Sequence, residues 1–214
     1  ATYVDGGVCQ NIPVEVAVAL GAQRIVAVLA VPIRSPSDTR DFTQVAFPAV
    51  FLRSVDQIGF AEKQRENLGV PRPDGCELVV IEPTVDLVGA FEVNAGLMHV
   101  DLDYGGLRAE EALADVDEGT RRRAMDATDR VVIARDRAWY AEEDVFGSSS
   151  PSEAVPRLER VRAAKRQVRE ALADRASAGL PAGAAAEAWW RGYEGHAVPR
   201  PAHVPDDPWD GADA

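Results

Sequence analysis

A chain of 214 residues, 46% hydrophobic and 27% charged, is long enough for one domain with a real core, or for one domain plus a tail. Its formal net charge of −12 argues against a surface built to bind nucleic-acid phosphates. Two cysteines without a CxxC pair, Cys9 and Cys76, argue against a disulfide framework or a thiolate zinc site, and no apolar run reaches the ~18 residues of a membrane-spanning helix.

The chain opens on Tyr3-Val4-Asp5-Gly6-Gly7, which reads as a strand end followed by a turn. Open α/β sheets place catalytic groups at the carboxyl ends of strands. Asp5 is therefore a placed carboxylate, and Gly6 and Gly7 form the turn that positions it. Residues Pro13 to Leu20 predict a short, mostly buried helix with Pro in its first turn, capped by Asn11 or Ile12 and stopped by Gly21. The run from Arg24 to Val31 is continuous and rich in β-branched residues, as expected of a strand buried on both faces of a parallel sheet. Strand, turn, helix and strand make a βαβ crossover.

From Asp41 to Leu68 the apolar residues Phe42, Val45, Ala49, Leu52, Val55 and Ile58 recur at helical spacing, with a kink or break expected at Pro48. Cys76 to Pro83 predicts a second buried strand, whose end is a second candidate for the edge of the site. Residues 84–104 read as an irregular segment, followed by helices from Gly105 to Ala114 and from Gly119 to Glu142. A linker is expected around Phe146 to Ser152, then a charged helix from Glu153 to Ser177 with a solvated Arg, Lys and Glu face, and a last helix from Ala182 to Tyr193. The Pro- and Asp-rich remainder reads as a disordered tail. The predicted organisation is an α/β region over 1–114, a helical extension over 115–193 and a tail over 194–214.

Asp5-Gly6-Gly7 followed by Asn11-x-Pro13, a helix ending in Leu20-Gly21-Ala22 and the strand Arg24 to Val28 resembles the carboxyl-terminal half of a patatin-like phospholipase. Ile81-Glu82-Pro83 resembles the family's next strand, and the likeness extends to about Leu113. The resemblance implies a partial three-layer α/β/α sheet and a serine acyl hydrolase acting on lipid esters. It implies a Ser–Asp dyad in which Asp5 is the catalytic aspartate. It implies no cofactor or metal, a lipid or acyl-ester substrate, and a cytoplasmic protein that makes peripheral contact with membranes. The sequence departs from the family in two respects. No GxSxG elbow and no glycine-rich oxyanion loop occurs in the 214 residues. Gly147-Ser148-Ser149-Ser150-Pro151 comes nearest, with Pro in place of the last Gly. The expectation is a fragment, inactive alone, whose serine lies in a longer parent. The alternative is a non-enzymatic interaction domain that makes contact through the helix from Glu153 to Ser177.

Plainer readings stand beside these. Asp-Gly is a common turn pair, and Asn11 suits a structural cap better than a catalytic role. Cys9 fits core packing. His99, beside Asp101 and Asp103, fits an exposed imidazole better than a metal ligand. His196 and His203 fall in the expected tail, where no rigid site can be built. Arg121-Arg122-Arg123 fits a solvated helix face, and Trp189-Trp190 either packs a terminal helix or anchors it at a membrane.

Overall fold

A computed structural model describes residues 12–33, 59–85 and 94–211. Two compact units divide between Thr84 and Val85, so the segment from Val85 to Leu113, expected in the α/β region, belongs with the helices instead.

The first unit is α/β. Helix α1 (Val14–Ala19) has Pro13 at its N-cap in place of the expected Asn11 or Ile12, with no side-chain cap bond, and it is not mostly buried as expected, Val14 alone of its residues being buried. Gly21 ends the helix with φ of 81°, and its N–H donates to the Val18 carbonyl at 2.9 Å. A side chain there would be strained, which is why this stop could be read from the sequence. Strand β1 (Arg24–Val28) pairs in parallel with β2 (Glu77–Ile81), Arg24 opposite Glu77 and Val28 opposite Ile81. Backbone bonds from Glu77 to Gln23 and from Leu29 to Ile81, both 2.9 Å, continue the ladder at its two ends. Between the strands in sequence lies α2 (Phe60–Leu68), whose Arg65 donates to the Ile33 carbonyl.

The core of this unit is Ile12, Val14, Ile25, Ala27 and Leu29, packed by Ala17, Val18, Leu68, Leu78 and Val80. The expectation that β1 is buried on both faces is not met. Ile25 and Ala27 are buried, whereas Val26 is 47% and Val28 71% exposed. Successive strand side chains alternate between faces, and among the described residues α1 and its neighbours cover only one. The helical pattern from Phe42 to Ile58, with its break at Pro48, lies outside the described residues.

The second unit is helical. Helix α3 (Ala95–Leu113) begins ten residues before the expected start at Gly105. Asn94 caps it, its side chain accepting from the Gly96 N–H at 3.0 Å. Leu97, Val100, Tyr104, Leu107 and Glu111 then fall on one buried face. Gly105, the expected start, and Gly106 are interior helical residues. Helix α4 (Glu118–Phe146) starts on Asp117, which accepts from the Thr120 N–H and hydroxyl. Those bonds hold the Asp117 carboxyl below its usual range. A turn over 147–150 leads to α5 (Pro151–Ser177), with Pro in the first turn. Arg130 with Asp174, Glu142 with Lys165 and Asp144 with Arg160 show that α4 and α5 run antiparallel.

Helix α6 (Ala186–Arg191) places Trp189 and Trp190 against Ala134, Ala138, Ala164 and Val168, so both indoles pack the terminal helix. The segment after α6 is not a disordered tail through Gly211. Val204 is fully buried with Val145, Phe146, Leu158 and Val161. Arg162 donates to the Pro208 carbonyl at 2.7 Å, and Trp209 donates to Trp190. Composition suggested disorder, but one buried valine, one buried arginine and an indole pair are enough to hold the segment down. At Gly96 a Cβ would overlap the Gly195 carbonyl oxygen and the Trp139 indole nitrogen, so only glycine admits this crossing.

Candidate functional site

Asp5, Gly6, Gly7, Cys9 and Asn11 all lie outside the described residues. What the structure does describe is the framework that follows them. Ile12 is buried, Pro13 opens α1, and α1 delivers the chain to β1. Because β1 and β2 are parallel, their carboxyl ends at Val28 and Ile81 share one edge of the sheet. The segment Ile81-Glu82-Pro83 therefore leaves the sheet beside Leu29, at the edge where α/β folds place ligands.

The helical unit holds four polar clusters. In the first, Glu142 and Lys165 are fully buried and pair at 2.5 Å. Glu142 Oε2 also accepts from the Glu194 N–H and lies 2.8 Å from His196 Nε2, while Lys165 donates to the Trp189 carbonyl. His196 stacks on Trp139 with centroids 5.0 Å apart. Nearby, burial and then the Glu142 charge push the Tyr193 phenol well above its ordinary range. In the second cluster, Glu111 accepts from Arg108 at 3.0 Å and from the Thr128 hydroxyl, and Arg175 Nε donates to Thr128 at 2.8 Å. Burial pushes the Glu111 carboxyl up, and Thr128, Arg108 and Arg175 pull it partly back.

The third cluster centres on Arg135. It forms a two-pronged pair with Glu194 at 3.0 and 3.2 Å, reaches Asp103 at 3.1 Å and stacks over Trp189 at 4.0 Å. With His99 and Leu102 these residues line an open cleft of about 210 Å³. His99 is exposed, and α3 brings it onto the face of Asp103, one turn on, rather than Asp101. Among the described residues no group of three or more His, Cys, Asp or Glu could hold a metal ion.

The fourth cluster pairs Ser148 Oγ with His203 Nε2 at 3.0 Å. Its chemistry is closed. Ser148 is buried and its hydroxyl donates to the Val145 carbonyl at 2.6 Å, which leaves His203 as the donor to Oγ. A nucleophilic serine needs the reverse, with the imidazole accepting its proton. Ser148 follows a helix rather than a strand, so it does not form a nucleophile elbow either.

The sequence reading missed all four clusters. Composition places His196 and His203 in a tail and the α5 cations on a solvated face. In fact Arg162, Lys165 and Arg175 of that helix are buried and partnered. Arg121, in the Arg121-Arg122-Arg123 run, donates to the Glu111 and Ala114 carbonyls. The only sequence signal was the spacing of Leu158, Val161, Lys165, Val168, Leu172 and Arg175, which continues one apolar stripe through two cations. No helix among the described residues is long and apolar enough to cross a membrane. No family model, curated protein or solved structure matches this chain.

Proposed function

We propose that this chain is the aspartate-bearing part of a patatin-like serine acyl hydrolase that cleaves lipid esters. The observation that carries the proposal is Asp5-Gly6-Gly7, with Asn11-x-Pro13 following, immediately before a helix and strand with the expected order and stop. The parallel pairing of β1 with β2 supports the same reading, because an α/β hydrolase sheet requires it. On this account Asp5 takes the proton of a serine as the serine attacks the ester carbonyl. The alkoxide leaving group departs with a proton, and water then hydrolyses the acyl-enzyme. The serine and the oxyanion donors are supplied from outside these 214 residues, so the chain alone is inactive. The protein would work in the cytoplasm and meet its lipid at a membrane surface.

The alternative of a non-enzymatic module making contact through α5 is weakened. That helix spends Leu158, Val161, Arg162, Lys165, Val168 and Arg175 on its own unit. A serine-directed phosphonate probe tests the proposal. The intact protein carrying Asp5 should be labelled, and its Asp5→Asn variant should be labelled far more slowly. Equal labelling of both would remove Asp5 from the mechanism.

A further inference from the structure

Helix α3 has two apolar faces, and among the described residues its own unit buries only one. Leu97, Val100, Tyr104 and Leu107 face inward. On the opposite side Met98, Leu102 and Leu113 are 49%, 72% and 51% exposed. Gly105, Gly106 and Ala109 fill the stripe between them, and a Cβ at either glycine would meet nothing within 4 Å. At 3.6 residues per turn Met98, Leu102, Gly105, Ala109 and Leu113 form one uncharged band along a helix about 28 Å long. A helix with apolar residues on both sides is normally covered on both.

We propose that this band is the contact between two copies of the chain, packed as antiparallel α3 helices about a two-fold axis passing between Gly105 and Gly106. The order of residue sizes along the band supports this choice of partner. Reversal about that point sets Met98 against Leu113, Leu102 against Ala109 and Gly105 against Gly106. Large residues meet at the ends, large meets small part-way along, and the two glycines let the backbones come closest at the centre. A two-fold contact must be self-complementary in this way. Charge does not oppose it, since the band carries none and Glu110 at its margin is held by Arg175 of its own chain. A single helix pair covers less than the roughly 1,600 Å² of a standard interface, so the dimer is weak.

Sedimentation equilibrium of the full chain from micromolar to millimolar concentration tests the proposal. The mass should rise toward twice 23.0 kDa. Leu102→Glu should raise the dissociation constant at least tenfold. Gly105→Leu should do the same without lowering the thermal midpoint, since leucine is the better helix former and a Cβ at this position meets nothing within 4 Å among the described residues. That second variant separates loss of the contact from loss of the fold. A monomer at every concentration overturns the proposal, as does a dimer that neither variant weakens.

Discussion

The two units of this chain bury their interiors by different means. The α/β unit closes over Ile12, Val14, Ile25, Ala27 and Leu29, held by a backbone ladder, and the ion pair across its strands, Arg24–Glu77, is exposed. The helical unit is divided along its length by buried charge, with Glu142 and Lys165 in one place and Arg108, Glu111 and Arg175 in another. A hydrophobic cluster is non-directional and tolerates exchange of similar side chains. A buried ion pair fixes one register, and it is costly to break because the surviving charge has lost both water and its partner. The α/β unit should therefore respond to lost volume, and the helical unit to lost charge.

The sharpest test of that contrast is Glu142→Ala. It leaves Lys165 buried without its carboxylate and should cost about 3–5 kcal/mol in urea unfolding. The double variant Glu142→Leu with Lys165→Met should recover most of the loss, because the charge and its desolvation go together. If each single variant cost less than ~1 kcal/mol, the contrast would fail. In the α/β unit Ile25→Ala should cost about 2–4 kcal/mol, while Val26→Ala, its neighbour on the open face, should stay within about 0.5 kcal/mol. Equal losses at the two positions would mean that both faces of β1 are covered in solution.

Legibility in the sequence followed the same division. Local rules were enough for the position of α1, its Gly21 stop and both strands, because Pro, Gly and β-branched residues act on their immediate neighbours, but they put the start of α5 at Glu153, two residues late. The fixing of the carboxyl-terminal segment was not legible. It depends on contacts such as His196 with Glu142 and Arg162 with Pro208, between residues distant in sequence, and its composition taken alone favours disorder. The start of α3 was not legible because residues 84–104 read as irregular, and the capping role of Asn94 shows only with its bond to Gly96. Of the candidate site, the sequence supplied the motif around Asp5, and the structure describes only the helix and strand that follow it.

Two smaller effects refine the comparison. Gly96→Val forces the Gly195 carbonyl away from α3 and should cost about 1–3 kcal/mol. The loss should appear first as faster proteolysis between residues 195 and 211. Glu111 supplies a pH dependence with a defined sign. Its carboxyl is raised above 4.5 in the folded unit, so the folded state holds the proton more tightly than the unfolded chain. The stability it contributes is present below pH 4.5 and falls away as pH rises through the raised value. Denaturant midpoints measured upward from pH 4 should carry this downward contribution, and Glu111→Gln should remove it. An unchanged slope in that variant would assign the pH dependence to other groups.

The central claim concerns Asp5, and one measurement addresses it most directly: turnover of an acyl ester by the intact protein containing this segment, with aspartate or asparagine at position 5. The amide keeps the size of the side chain but cannot take a proton from serine, so kcat should fall about 10²- to 10⁴-fold. Turnover by Asp5→Asn equal to that of the unaltered protein would contradict the account.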